Sequence, residues 1–194
     1  MNRGPLGRSV ADEVARLLAA LTATAQVPAG LPDLVGTPER VSDLWLDNLV
    51  SGYATTPQEA LGAPIDDASG ALVTLTGIPF HGVCPHHLLP FHGVAHVAYA
   101  PRGRIVGLGR IERLVACLSR RLVLQESLTH AIAEALMSTL DAEGAAVALD
   151  AEHLCLVLQG REPRGARLNT RVGLGSLRDR PDVLPPVSAH GGRP

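Results

Sequence analysis

The residues in this chain best suited to chemistry are a cysteine and two histidines within four positions, Cys84, His86 and His87. Cys84 and His87 are three residues apart, a spacing at which one loop can supply two ligands to a zinc ion. A third ligand must come from another segment, and the best candidate is Cys155 in His-Leu-Cys at 153–155. We therefore predict a zinc site formed by Cys84, His87 and Cys155.

Two histidines beside the predicted ligands are suited to moving protons. His86 lies between Cys84 and His87, and His153 lies two residues before Cys155. Imidazole changes its charge near neutral pH, so both could act as general acids or bases at a zinc site with three protein ligands and one open position. In a structural zinc site, His86 or His153 would instead be the fourth ligand. Spacing alone leaves both alternatives open.

The remaining cysteine and histidines are expected to be structural or solvated. Cys117 lies among leucines and valines in a helical pattern, where a cysteine is usually buried. The same expectation holds for the other five histidines considered, His81, His92, His96, His130 and His190.

The composition excludes several classes of protein. Of 194 residues, 46% are hydrophobic but only 3% are aromatic, so the core must be aliphatic. The chain has 17 Lys+Arg against 19 Asp+Glu, which gives no basic face for nucleic acid. No apolar run approaches the roughly 20 residues of a membrane span, and no secretory signal is recognisable. We expect a cytoplasmic protein whose thiols are free, reactive or metal-bound, without nucleic-acid or membrane partners.

The periodicity of apolar residues predicts an α+β fold with an antiparallel sheet. We predict a loose arm at 1–8, helices at 9–22 and 37–51, a loop at 53–70, and two helices between 111 and 141 that meet near 123–126. Strands are predicted at 71–77, 93–100, 104–108, 145–151, 153–159 and 166–174. On the strand 153–159, His153 and Cys155 would face the same side. The predicted domains are an N-terminal helical extension at 1–70, a catalytic domain at 71–178 and a loose tail at 179–194.

Seven short segments carry a resemblance to a known family. They are TPER at 37–40, SGY at 51–53, CPHHLLPFHG at 84–93, VAYAP at 97–101, GLGRIERLV at 107–115, QESLT at 125–129 and EHLC at 152–155. Together they resemble GTP cyclohydrolase I over roughly residues 37–175. The resemblance implies a tunnelling fold, in which two helices back an antiparallel four-stranded sheet. It also implies a homodecamer of two pentameric rings with active sites at subunit interfaces.

The resemblance further implies a reaction and its residues. In the family, GTP is attacked by water at C8 of guanine, formate is released, and 7,8-dihydroneopterin triphosphate is formed. The family's zinc ligands correspond to Cys84, His87 and Cys155, and its proton-transfer residues to His86 and His153. Glu126 corresponds to the glutamate that accepts hydrogen bonds from guanine, a role that a carboxylate suits. The other implied substrate contacts are Gln125, Arg40, Arg110 and Arg113.

The chain departs from the family where the triphosphate is held. Asp43 stands where the family often has lysine, Gln159 replaces an arginine, and Gly109-Arg110 replaces a Ser-Lys pair. Pro85 also replaces the glutamate of Cys-Glu-His-His, which stiffens the loop. Losing cations and gaining an anion weakens triphosphate binding, although two arginines near Gln159 in the sequence, Arg161 and Arg164, could compensate.

Three functions therefore remain open from the sequence. The first is the family's reaction on GTP. The second is the same ring opening on GMP, guanosine or a related purine, or a reaction that stops at the formamidopyrimidine. The third is a non-catalytic, zinc-stabilised ring that binds a partner.

Overall fold

The computed structural model describes residues 4–25, 32–160 and 166–185, and the chain forms two compact units, Met1–Ser51 and Gly52–Pro194. In the first unit, helix α1 (Gly4–Thr24) packs on α2 (Thr37–Leu44), which continues as a π-helical turn, Trp45–Leu49. Because α1 begins at Gly4, the loose arm predicted at 1–8 is wrong for residues 4–8. Residues 1–3 lie outside the described residues.

The second unit is built on a four-stranded antiparallel sheet. Its elements in chain order are α3 (Pro57–Leu61), β1 (Ile65–Asp66), β2 (Val73–Val83), β3 (Pro90–Ala100), β4 (Arg104–Ile105), α4 (Leu108–Ser119), α5 (Gln125–Leu140), β5 (Gly144–His153), α6 (Leu154–Val157) and β6 (Leu168–Gly175). The order in the main sheet is β2-β3-β5-β6, and β1 and β4 form a separate small pair. No helix among the described residues is long and apolar enough to cross a membrane.

Helices α4 and α5 cover one face of the main sheet and enclose an aliphatic core. Alternate residues of β3 and β5, such as Val97 and Val147, point into it because successive side chains of a strand face opposite sides. From α5, Leu128, Ile132 and Leu136 are fully buried at helical spacing. This arrangement confirms the predicted α+β class and the four antiparallel strands backed by two helices that the tunnelling fold requires.

The opposite face of the sheet is covered in part by the C-terminal segment. Ala98, Ala146 and Ala148 form a second buried cluster with Leu177 and Leu184. The domain boundaries predicted at 70 and 178 stay predictions. Residues 186–194 of the predicted tail, with His190, lie outside the described part of the chain.

Two differences from the predicted elements affect the site. The predicted strand 153–159 is wrong, because β5 ends at His153 and the next residues form the short helix α6. A short apolar run such as Leu-Cys-Leu-Val is compatible with either structure, so periodicity could not separate them. Strands β2 and β3 are also longer than predicted, which makes the intervening residues 84–89 a hairpin loop.

Candidate metal centre and active site

The hairpin loop between β2 and β3 is closed by two backbone hydrogen bonds. The Cys84 amide donates to the Leu89 carbonyl at 2.9 Å, and the Leu88 amide donates to the Cys84 carbonyl at 2.9 Å. Leu88 has a φ of 55°, an uncommon left-handed conformation for a residue other than glycine. The turn leaves Cys84 buried and presents His86 and His87 at the surface.

The three predicted metal ligands meet in the structure. The ligand atoms of Cys84, His87 and Cys155 all lie within 4.8 Å of one another, with both cysteines buried and the histidine exposed. Among the described residues, these three are the group of His, Cys, Asp or Glu side chains that lie close enough together to hold a metal ion. The third ligand comes from α6, whose first turn places Cys155 beside the hairpin loop.

The two thiols are arranged in a way that a cation would stabilise. Burial raises the pKa of Cys155, and the neighbouring Cys84 raises it further through its charge and through a hydrogen bond. Two adjacent thiolates in a buried site repel each other, whereas a divalent cation between them favours both ionised forms. The donor set of two thiols and one imidazole suits zinc.

A short parallel bridge ties the hairpin loop at 84–89, here called the metal loop because it carries two candidate ligands, to the start of α5. The Val83 amide donates to the Arg121 carbonyl at 3.1 Å, and the Val123 amide donates to the Val83 carbonyl at 3.0 Å. Val83 immediately precedes Cys84, and residues 120–124 lead directly into Gln125. The bridge therefore holds the metal loop and the first turn of α5 together.

His153, the last residue of β5, is held by an aromatic ring. It lies opposite Phe91 in the β3–β5 register, and the two rings stack in parallel with centroids 4.6 Å apart and an interplanar angle of 1°. Gly82 makes room for Phe91, because a Cβ at Gly82 would lie 2.6 Å from the Phe91 ring. Burial lowers the pKa of His153, and the nearby Glu126 carboxylate raises it to a lesser extent.

His86 and His153 both lie outside the metal-binding group. His86 is exposed, with its ring edge-on to His87 and the ring centroids 6.4 Å apart. His153 has its Nε2 atom 2.8 Å from Oε1 of Gln125. The group therefore has three members rather than four, which favours the alternative of three protein ligands and one open position.

The predicted guanine contacts differ in exposure. Glu126 is exposed at the first turn of α5, and its charge acts on His153, so its carboxylate lies beside the candidate active site. Gln125 is fully buried, and its amide is bonded to His153 and to three groups of the sheet. The Gln125 side chain is therefore not accessible to a substrate in this structure. Its substrate contact stays a prediction.

The predicted phosphate contacts are exposed. Arg40, in the first unit, donates hydrogen bonds to the carbonyls of Val35 and Asp33 and to the Thr37 hydroxyl. Arg110 and Arg113 lie on the exposed side of α4. Gln159 is exposed after α6 and carries no charge; the two arginines that could compensate, Arg161 and Arg164, lie outside the described residues.

One cation near the site was not anticipated from the sequence. A cavity of about 90 Å³ is lined by His153, Leu156, Val157, Ala166, Arg167 and Leu168. Arg167 is partly buried, and its Nε and Nη2 donate to the carboxylate and the carbonyl of Asp150 at 2.5 Å and 3.0 Å. Arg167 lies outside the seven segments that carry the resemblance, so no pattern identified it.

Comparisons with known proteins identify the family to which this chain is similar. The family model for GTP cyclohydrolase I matches residues 10–187. The chain is 50% identical over 129 residues to GTP cyclohydrolase 1 of Chromobacterium violaceum, covering 66% of this chain and 62% of that protein. It is 49% identical over 142 residues to GTP cyclohydrolase 1 of Ralstonia nicotianae, covering 73% and 68%. For the Streptococcus suis protein of the same name, identity is 40% over 147 residues, covering 75% and 78%.

One solved structure among the matches is the archaeosine synthase QueF-Like in the apo form. It has a TM-score of 0.45 and 18% identity, and it covers 55% of this chain and 96% of its own.

Proposed function

The chain belongs to the GTP cyclohydrolase I family, and we propose that it opens the imidazole ring of guanine at a zinc site formed by Cys84, His87 and Cys155. Its homologues support GTP cyclohydrolase activity, the hydrolysis of GTP. The observation that carries the residue-level proposal is the meeting of the three ligand atoms within 4.8 Å. The proposed product is 7,8-dihydroneopterin triphosphate, with release of formate.

Zinc is the metal that this donor set suits best. When bound, zinc supplies Lewis acidity, which makes water a nucleophile near neutral pH. Metal analysis of the purified protein should find about one zinc per chain. Replacement by cobalt should give the absorption spectrum of a tetrahedral site with thiolate ligands. Both measurements are independent of catalysis.

The protein side chains position the purine and move protons. Glu126 would accept hydrogen bonds from N1–H and the 2-amino group of guanine, since an ionised carboxylate only accepts. His153 would transfer protons at the opening ring, and its stacking on Phe91 keeps its orientation fixed. His86 would exchange a proton with the substrate from the exposed loop.

A second candidate is the same ring opening on a guanine compound with fewer phosphates. The observation that favours it is the loss of positive charge at Asp43 and at the exposed Gln159. Each hydrogen bond to a charged group contributes about 1.5–3 kcal/mol, so two lost contacts alter the preference among GTP, GMP and guanosine markedly.

One experiment tests the function and separates the candidates. Zinc-loaded protein is incubated with GTP, GDP, GMP or guanosine, while formate, pterin fluorescence and product mass are followed. Fastest turnover of GTP to the fluorescent pterin is the expected result. Formate without a pterin would indicate arrest at the ring-opened product, and turnover favouring GMP or guanosine would support the second candidate. His153→Asn should lower kcat by about 10²- to 10⁴-fold.

If no formate is released from any of the four compounds, ring opening of guanine is excluded as the function. The remaining alternatives would then be a different purine substrate and a non-catalytic ring that binds a partner.

We also propose that the chain forms a homo-oligomer, a decamer of two pentameric rings, in the cytoplasm. The sheet order supports an assembly through strands, because β2 and β6 are its outer strands and each offers an edge for pairing. Thiolate ligands suit a reducing compartment. Native mass spectrometry of the zinc-loaded protein should give ten chains, and a monomer would contradict the ring.

A further inference from the structure

The orientation of the buried Gln125 amide is fixed by its surroundings. Its Nε2 lies 3.2 Å from the Leu149 carbonyl, 2.9 Å from the Leu168 carbonyl and 3.1 Å from the Thr170 hydroxyl. Carbonyl oxygens only accept, so the NH2 side of the amide must face them. In the flipped orientation, the amide oxygen would face two carbonyl oxygens in a buried site, and none of these three atoms could donate to another.

The two threonines near Gln125 support the same orientation. The Thr129 hydroxyl is 2.7 Å from the backbone carbonyl oxygen of Gln125 and must donate to it, because a carbonyl cannot donate. The Thr129 and Thr170 hydroxyl oxygens are 2.6 Å apart, so Thr170 supplies the proton of that bond. Thr170 therefore has only lone pairs for the Gln125 amide, which again places the NH2 group on that side.

The fixed amide determines which nitrogen of His153 carries the proton. With its NH2 side committed, Gln125 presents Oε1 to Nε2 of His153 at 2.8 Å. An amide oxygen only accepts, so Nε2 must donate. A neutral imidazole carries one proton, which leaves Nδ1 as an unprotonated acceptor.

We propose that Gln125 is a positioning residue, which holds His153 as the Nε2–H tautomer so that Nδ1 is the nitrogen that exchanges protons with the substrate. This rests on the proposed function in one respect, that His153 transfers protons during ring opening. Gln125 fixes the tautomer, and Phe91 fixes the plane of the ring. The role differs from a substrate contact, because the Gln125 side chain acts from inside the core.

The test is a 15N spectrum of the zinc-loaded protein labelled at its histidine ring nitrogens, recorded at a pH where the His153 ring is neutral. The His153 signals are assigned by their loss in His153→Asn. Their couplings to the two ring carbon-bound protons identify each nitrogen. We expect one tautomer, with a protonated Nε2 and an unprotonated Nδ1. A protonated Nδ1, or an even mixture of tautomers, in the unsubstituted protein would overturn the inference.

Gln125→Met removes the acceptor while keeping a similar volume. We expect this variant to show a mixture of tautomers and about a 10- to 100-fold lower kcat, with KM little changed. Leu136→Ala is the matched control, because Leu136 is also fully buried on α5, three turns from Gln125. It should lower stability but keep the Nε2–H tautomer. An unchanged tautomer in Gln125→Met would overturn the inference.

The outcome remains decidable if a variant fails to fold or the enzyme is inactive. The spectrum of the unsubstituted protein alone tests the tautomer when Gln125→Met does not fold. A protein that shows the Nε2–H tautomer but releases no formate would keep the assignment of Gln125 as the group that fixes the ring. That result would reject the proposed function instead.

Discussion

The predicted metal and proton-transfer residues are held in the fold differently from the predicted phosphate contacts. Cys84 and Cys155 are buried, and His153 is held by a ring and an amide. Arg110 and Arg113 are exposed on α4, and Arg40 belongs to the first compact unit. Buried residues such as Cys84 and Cys155 tolerate little change, because each packs against several others. An exposed cation can be exchanged at small cost in stability, so we expect substrate preference to vary through the predicted phosphate contacts.

The largest effect is expected from removing a thiol ligand. Cys84→Ser should lose zinc and reduce ring opening by about 10³-fold or more, since the Lewis acid supplies several kcal/mol of transition-state stabilisation. Metal content and formate release measure the two effects. Cys117→Ser is the control, because the Cys117 thiol donates to the Thr55 carbonyl away from the metal-binding group. Equal zinc loss in both variants would contradict the assignment of the metal centre.

A substitution of Glu126 tests whether guanine is bound beside the candidate metal centre. Glu126→Gln replaces a charged acceptor with an amide and should raise KM for GTP by about 10- to 100-fold, because a hydrogen bond to a charged group contributes about 1.5–3 kcal/mol. Glu134→Gln, on the exposed face of the same helix, is the matched control. A KM unchanged by Glu126→Gln would show that guanine is held elsewhere.

A substitution that should increase activity tests the predicted phosphate contacts. Gln159→Arg restores a cation at an exposed position four residues after Cys155. We expect kcat/KM for GTP to rise about tenfold with no change for guanosine, because only GTP offers phosphate to the new guanidinium. Steady-state kinetics with both substrates measure the difference. An equal rise for guanosine would mean that the effect does not involve phosphate.

The smallest effect concerns the face of the sheet opposite the helices. Burial lowers the pKa of His96, the Arg171 charge lowers it further, and the Asp150 carboxylate opposes both. A histidine with a lowered folded-state pKa binds more protons when unfolded, so stability is complete above about pH 6.5 and falls as the pH drops. His96→Gln should flatten the dependence of the unfolding free energy on pH below 6.5. Parallel curves from denaturant titrations would contradict this.

The sequence predicted the fold class and the meeting of the metal ligands for different reasons. Helix α5 could be predicted because its buried leucines and isoleucine recur every four residues. Cys84 and His87 could be predicted to lie close together because both are in one loop. The position of Cys155 was anticipated with the wrong local structure, a strand instead of the helix α6.

Three features could not be predicted from the sequence because they depend on tertiary packing. The stacking of Phe91 on His153 follows from the register of two strands that are distant in the chain. The buried amide of Gln125 meets carbonyls from β5 and β6, which no local pattern can place. Arg167 beside the His153 cavity belongs to the same class.

The candidate metal ligands come from segments that are far apart in the sequence, so a bound metal would affect how the protein folds. A metal held by Cys84 and Cys155 is a crosslink that closes a loop of 71 residues, in the manner of a reversible disulfide. By mass action, each tenfold rise in free metal above the dissociation constant adds about 1.4 kcal/mol to the free energy of unfolding. The lifetime of this protein would therefore depend on the supply of zinc, even when no substrate is present.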